Sequence, residues 1–499
     1  MIALLCVLVA AQDTELRLPV EEFRLENGMK ILAVPRRDTP RVFCALYWKV
    51  GSVDERPGIT GLSHFFEHMM FKGTATIGTT DAKRDAEINA EVDQVMGRVR
   101  EIQLLHREFE RRGSKPNMEE QTRLSQALRK HTARYEELIA EQKKITVSEH
   151  ISKLYMGAGG TGLNASTYYD WTRYFIELPS NKVELFFWLE SDRFLRPVFR
   201  EFYPERDVVK EERRMRYDST PTGLIHEAFR AMFWQSHPYS WPVIGWMSDI
   251  EMYTLADALE YFRIYYSPHR CTAIFVGDVE PAKIRDLATR YFGRIPRNKD
   301  EPPAIVTRES EQVAERRMHA EAKSQPSLTV RWHAPGAAHS DTAALDLAMM
   351  ILDGPSGRLH RILVEEKNLA LAAGSSYWAL RYGGMADVDA RPKEGVSFSD
   401  LERGIEEIVE GLKKDGVTER ELQKVKNQSL ATTARQLQSN KGIGDALGYA
   451  EINADWHEAF DYLKRVMAVT ASQVREAAVK YLTPQGRNVL IVKRKEKNP

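Results

Sequence analysis

The chain runs to 499 residues, too long for one ordinary core, and its length implies two or three domains. Hydrophobic residues make up 43% and charged residues 28%, the balance of a soluble globular protein rather than a disordered one. Lys+Arg and Asp+Glu number 71 each, so no global field favours nucleic acid or anionic membrane, and a polyanion-binding function is set aside.

The N-terminus reads MIALLCVLVAAQDTE, an apolar run that ends in small residues before a polar segment. Residues 1–11 resemble a secretory signal cut after Ala11, although the usual basic lead is missing. An exported protein, in the periplasm of a Gram-negative-type bacterium, is the expectation. No other run approaches the ~20 apolar residues of a membrane span. Cys6 is a poor lipidation site because Leu5 precedes it where a small residue is wanted. Cys44 and Cys271 sit in strand-like runs and read as buried small hydrophobes, not as a disulfide framework.

The next informative element is His64-Phe65-Phe66-Glu67-His68. On an α-helix, positions i and i+4 share a face, so both imidazoles can aim at a single metal ion. Glu67 lies one step round the helix, placed to serve a water at that metal. The His-x-x-Glu-His order belongs to a recognised class of inverted zinc-protease motifs. Two unrelated histidines on an amphipathic helix are the plain alternative.

Between about 82 and 146 the pattern changes. Ile88, Val92, Val95, Val99, Ile102, Leu105 and Phe109 recur in steps of four and three. After Arg112-Gly113-Ser114-Lys115-Pro116-Asn117 the spacing resumes at Leu124, Leu128, Tyr135, Leu138 and Ile145. This predicts two helices folded back as an inserted antiparallel coiled-coil hairpin. Its first arm would reach roughly 30 Å at 1.5 Å per residue, as a structural or partner-binding projection. His106 and His131 fall among charges and are expected to be solvated.

A catalytic zinc needs three protein ligands and one open position, so a third ligand must lie elsewhere. The segment Glu205-Arg206-Asp207-Val208-Val209-Lys210-Glu211-Glu212 is acidic and helix-compatible. Glu205, Asp207, Glu211 and Glu212 all qualify on spacing, and Glu205 and Glu212 fall two turns apart on one face. A solvated acidic helix is the other reading.

Two distant segments share one plan. Thr254 opens a helical run ending at Tyr265 and Pro268, followed by the strand Thr272–Val276. Thr470 opens another ending at Tyr481 and Pro484, followed by the strand Val489–Val492. At an offset of 216 (470 − 254), the threonines, Glu260/Glu476, Tyr265/Tyr481 and Pro268/Pro484 all coincide. Threonine fits the N-cap of each helix, and proline stops it before the strand. The fold expected is α+β, with two homologous α/β-roll domains of mostly antiparallel sheet packed with helices. They span residues 12–297 and 298–499 and meet at Arg297-Asn298-Lys299-Asp300-Glu301-Pro302-Pro303, with the hairpin 82–146 inserted in the first.

Several of these pieces together carry a family resemblance. Leu25-Glu26-Asn27-Gly28-Met29-Lys30, Gly51-Ser52-Val53-Asp54-Glu55 and Gly61 to Thr74 resemble the pitrilysin/insulinase-type zinc peptidases. Leu163-Asn164-Ala165-Ser166-Thr167, Pro179-Ser180-Asn181, Glu205 to Glu212, His237-Pro238-Tyr239, Gly245 and Val276-Gly277-Asp278-Val279 continue the likeness. It covers nearly the whole chain except the signal and the arm, and the layout is closest to the two-domain, processing-peptidase-like bacterial members.

The resemblance implies one Zn²⁺ per chain held by His64, His68 and Glu212, with Glu205 supporting the site from behind. It implies Glu67 as the general base that later returns its proton to the leaving amine. His68 and Glu212 are 144 residues apart (212 − 68), roughly twice the family's separation, and removing the arm restores it. Leu163, Asn164, Ala165 and Ser166 would form an edge strand on which an extended peptide substrate adds itself.

Related enzymes also carry an Arg and a Tyr, seven residues apart, that face the zinc. Here Val364 and Leu371 stand at those places, and neither donates a hydrogen bond. A homologous subunit supplying that pair, or a second copy of this chain, is therefore the expected partner. The overall expectation is a zinc endopeptidase acting on extended or unfolded polypeptides inside a chamber. A non-catalytic or peptide-binding structural subunit of the same fold is the alternative.

Overall fold

The computed structural model describes residues 18–495. The expected signal, residues 1–11, lies outside the described residues, as does Cys6. Strands β1 (Glu21–Arg24), β2 (Lys30–Pro35), β3 (Arg41–Trp48), β4 (Thr161–Thr167), β5 (Thr172–Pro179) and β6 (Cys271–Gly277) form one sheet, in the order β1-β2-β6-β3-β5-β4. Strands β7 (Arg316–Ala322), β8 (Ser327–Ala334), β9 (Ala370–Ala379), β10 (Gly384–Pro392) and β11 (Asn488–Arg494) form a second, in the order β7-β11-β8-β10-β9.

Each sheet has one parallel pair, β2 with β6 and β7 with β11, and is otherwise antiparallel. Leave out β1 and the two strand orders correspond position for position. The α+β fold of two similar halves is the one expected. Central strand β6 is buried along its whole length, which is why Cys271 to Gly277 reads as an unbroken small and apolar run. Cys44 and Cys271 are free, buried thiols.

Among the helices of the described residues are α1 (Leu62–Met69), α2 (Ala82–Arg111), α3 (Met118–Ile145), α4 (Val183–Leu195), α5 (Phe202–Arg213) and α6 (Gly223–Phe233), then α7 (Leu255–Tyr265), α8 (Thr342–Leu352), α9 (Phe398–Asp415), α10 (Glu419–Gln436), α11 (Asn440–Asn453) and α12 (Ala471–Tyr481). The Thr254 and Thr470 side chains cap α7 and α12 through backbone N–H groups three residues on, as the repeat requires. The offset of 216 maps α7 onto α12 residue for residue and brings the starts of α5 and α10, and of α6 and α11, to within one residue.

The two halves exchange cover. Leu62, Phe65, Phe66 and Met69 of α1, with α4, α5 and α7, fill one face of the first sheet. Its other face is covered by Ile443, Leu447 and Ile452 of α11, which belongs to the second half. Reciprocally, Ile225, Phe229 and Met232 of α6 cover Ala322, Leu490 and Val492 of the second sheet. The α11 contact is close because Gly444 and Gly448 carry no Cβ: one would fall 2.4 Å from the Phe43 ring and the other 2.3 Å from Tyr47. A buried cluster locks the joint, with Lys30 Nζ 2.6 Å and Lys49 Nζ 3.0 Å from the Glu451 carboxylate.

The expected hairpin is present as α2 and α3, packed on one another and joined by residues 112–117. Ile88, Val92, Val99, Ile102, Leu124 and Leu138 are buried along it. Leu105 departs from the expected seam and is 47% exposed.

Nor is the arm a free projection. Tyr203 donates to Asp93 at 2.7 Å, Arg100 to the Met252 carbonyl at 3.3 Å and Arg107 to the Ser248 carbonyl at 3.3 Å. At its base Thr79 bridges Thr146, and Arg200, fully buried, holds Asp85 and the carbonyls of Lys72, Thr74 and Ile77. Entry and exit thus lie side by side, so the insertion leaves the chain on either side in register. Among the described residues no helix is long and apolar enough to cross a membrane.

Candidate metal centre

Helix α1 is short, and its placement depends on what holds its first turn. The Glu55 carboxylate accepts from Gly61 N–H at 2.6 Å and Ser63 N–H at 2.7 Å, satisfying donors the helix leaves open. Gly61 has φ +88, and a Cβ there would meet the Ile244 carbonyl at 2.1 Å. Only glycine permits that crossing of the 60–61 and 244–245 loops. Arg213 donates to the Gly245 carbonyl at 2.7 Å, tying the end of α5 to the same crossing. Phe65 meets Phe202 edge-on at 4.9 Å, so α1 and α5 lie face to face.

That packing brings the two halves of the motif together. His64 Nε2 lies 3.6 Å and His68 Nε2 3.4 Å from Glu212 Oε2, and the three ligand atoms are all within 4.8 Å of one another. Of the four acidic candidates on α5, Glu212 alone faces both histidines. Glu205 lies behind the site, with Oε1 2.8 Å from His68 Nδ1 and Oε2 2.6 Å from Lys72 Nζ. Asp207 and Glu211 turn outward to Lys210 and Arg214.

The donor set suits a divalent cation. Glu212 Oε1 is held by Arg216 at 2.7 Å, while Oε2 is buried with no hydrogen-bond donor among the described residues. A buried carboxylate oxygen without a donor, beside two imidazole nitrogens, is a donor set that zinc accepts. His64 Nδ1 is also buried and unpartnered.

Burial, aided by the neighbouring His68, holds His64 down to about 4, so its imidazole is neutral near pH 7. Burial opposes charge on His68 too, but the neighbouring Glu205 and Glu212 carboxylates outweigh it and raise the group to about 9. A cation bound there displaces that proton. Glu205 is pulled down to about 2 against its burial by His68 and Lys72. Glu212 is likewise lowered, by His68, His64 and Arg216 acting against burial. Glu67 is raised by burial, tempered by a hydrogen bond from Thr167 Oγ1 to Oε2 at 2.8 Å.

Strand β4 lies at the edge of its sheet beside α1. Leu163 is half-buried, Asn164 is exposed and its side-chain oxygen accepts from Ala165 N–H at 2.9 Å. Ala165 faces the core, and Ser166 Oγ accepts from Arg173 at 2.9 Å. A cavity of about 530 Å³ opens beside Glu67 and His68, walled by Phe71, Lys72, Glu201 and residues 146–150 at the arm's base. Val364 packs partly into the second core, and Leu371 is 62% exposed on β9.

Sequence reasoning missed Lys72, Thr167 and Arg216. Lys72 and Arg216 each fall four residues beyond a ligand, His68 and Glu212, the spacing that returns a side chain to the same face. Thr167 had no such signal.

Comparison with known proteins gives a consistent result. The family model described as insulinase (peptidase family M16) matches residues 30–99, and that described as peptidase M16 inactive domain matches residues 253–429. The zinc protease PqqE of Helicobacter pylori is 27% identical over 489 residues, 96% of this chain and 94% of that protein. An uncharacterized zinc protease of Bacillus subtilis, YmxG, is 21% identical and covers 93% of this chain and 96% of its own length. Among solved structures, a protease from Helicobacter pylori aligns with TM-score 0.77 at 24% identity, over 96% of this chain and all of that one. The first model covers α1, and the second covers much of the half that lacks the histidines. At the offset of 216, Glu212 corresponds to Gln428 (212 + 216), and α8 holds no histidine.

Proposed function

Since the chain belongs to the insulinase/pitrilysin family of M16 peptidases, we propose that it is a zinc-dependent endopeptidase acting on extended or unfolded polypeptides. The convergence of His64, His68 and Glu212 within 4.8 Å, with Glu67 on the same helix, carries this reading. His64 and His68 through Nε2, and Glu212 through Oε2, would hold one Zn²⁺ per chain. Zinc at such a site supplies Lewis acidity, polarising a carbonyl and lowering the pKa of water towards neutrality.

The chain's own groups do the remaining work. Glu205 fixes the His68 ring through Nδ1, so that Nε2 faces the site. Glu67, with one carboxylate oxygen held and the other free, accepts a proton from the attacking water and returns it to the leaving amine. Leu163, Asn164, Ala165 and Ser166 on the open edge of β4 align an extended peptide by backbone pairing, which reads conformation more than side chains.

The Arg/Tyr pair expected from the family resemblance is replaced by Val364 and Leu371, neither of which donates a hydrogen bond. A missing donor costs about 3–4 kcal/mol of transition-state stabilisation. A homologous subunit carrying the Arg/Tyr pair, or a second copy of this chain, would close a chamber over the zinc. Export to the periplasm, from residues 1–11, belongs to the same reading.

The test is hydrolysis of an unstructured peptide by the purified chain, with and without chelator, alone and with any co-purified homologue. The chain alone is expected to bind zinc and cleave feebly. Full activity alone contradicts the partner, and chelator-insensitive cleavage contradicts the zinc.

A further inference from the structure

Thr167 closes strand β4, and its hydroxyl is the one described hydrogen-bond partner of the Glu67 carboxylate. Thr167 Oγ1 lies 2.8 Å from Glu67 Oε2, and among the described residues no hydrogen bond reaches Oε1. Thr172, opposite Thr167 in the β4–β5 ladder, has its hydroxyl 2.9 Å from the Val50 carbonyl and 3.4 Å from Thr167 Oγ1, and donates to both. The Thr167 proton is therefore directed to Glu67, because an ionised carboxylate can only accept. When Glu67 is protonated the same hydroxyl can accept in return, so one group serves both protonation states.

The contact is held from both sides. The turn after Thr167 closes through Tyr168 N–H to the Trp171 carbonyl at 2.8 Å. The Tyr168 and Tyr169 carbonyls accept from Ser52 and Val53 at 3.2 and 2.9 Å. Gly51 makes that approach possible, since a Cβ there would fall 2.3 Å from the Tyr169 carbonyl. Four residues further on, Glu55 caps α1, the helix that carries Glu67. Strand end and helix start are thus registered on the one segment 51–55. Ala165 and Thr167 share the face turned to α1, while Ser166, on the opposite face, is held by Arg173, itself 2.6 Å from Asp445 of α11.

We infer that Thr167 is the positioning residue for the general base: it pins one oxygen of Glu67, leaves the other to take the proton, and links the base to the strand on which substrate aligns. This rests on the peptidase reading above.

The experiment uses the zinc-loaded full-length chain, any co-purified partner retained, and an internally quenched unstructured peptide. Losing a hydrogen bond to a charged group, Thr167→Val should lower kcat about 10- to 100-fold with KM and zinc content unchanged. Thr167→Ser, which keeps the hydroxyl, should recover to within about threefold of wild type. In a crystal structure of zinc-loaded Thr167→Val, the Glu67 carboxylate should rotate while β4 keeps its register. A Val variant with wild-type kcat, a KM that rises with the loss, no rescue by Ser, or an unmoved carboxylate each overturns the inference. The wild-type rate and a Glu67→Gln control judge the peptidase reading separately, and the crystal structure judges Thr167 without any turnover.

Discussion

Glu205 Oε1 and His68 Nδ1 lie 2.8 Å apart, and Lys72 holds the other Glu205 oxygen at 2.6 Å. A carboxylate kept near 2 only accepts, so Nδ1 keeps its proton and the Nε2 proton, facing Glu212, is the one a bound cation would displace. Glu205→Gln removes the charge that fixes this ring. Zinc affinity, measured by chelator competition, should fall about 10- to 100-fold with the fold intact. Unchanged affinity would mean the carboxylate does not support the site.

Arg216 holds the outer oxygen of Glu212 at 2.7 Å but is 63% exposed. Solvent screens such a pair, so Arg216→Ala should weaken zinc binding by only about two- to fivefold in the same competition. A loss as large as that of Glu205→Gln would show that Arg216 does more than orient the carboxylate.

Glu451 joins the halves. Its side chain is 3% exposed and Lys30 beside it 5%, so removing the acid leaves a buried ammonium with the more distant Asp455 carboxylate at 3.6 Å. Glu451→Ala should cost about 3–5 kcal/mol in denaturant unfolding, and Glu451→Gln less. A change under about 1 kcal/mol would show that water replaces the carboxylate at the joint.

His237 and His333 lie under the 296–315 connection, where Glu309 accepts from Gln235, Ser236 and His237 N–H groups at 2.9–3.1 Å. Both rings have a buried, unpartnered Nε2, and burial, partly offset by Glu309, holds both down to about 4 from 6.5. The unfolded chain takes up these protons first as pH falls. Their contribution is therefore full above pH 6.5 and lost as pH falls from 6.5 towards 4. His333→Phe should flatten the fall in melting temperature across that window relative to wild type; an identical slope would place His333 elsewhere.

Local signals in the chain pointed to the metal ligands unevenly. The spacing of His64 and His68 is a property of one helix, so it was legible without tertiary structure. Glu212 was not separable from Glu205, Asp207 and Glu211 by spacing; family resemblance singled it out, and the packing of Phe65 on Phe202 decides which carboxylate faces the histidines. The repeat at 216 announced two halves, yet not that α6 and α11 each cover the other half's sheet. Gly444 and Gly448, four apart on α11, were the available sign of that close contact. Thr167 meets Glu67 from 100 residues away, and no local pattern encodes such a meeting. Leu105 keeps the helical period yet is 47% exposed, so spacing alone did not decide burial along the arm.

The most direct test of the central claim is Glu67→Gln, with bound zinc and peptide turnover measured on the same preparation. One zinc per chain with hydrolysis abolished is the predicted result. Normal turnover by that variant would contradict the assignment of Glu67 as the base and, with it, the proposed mechanism.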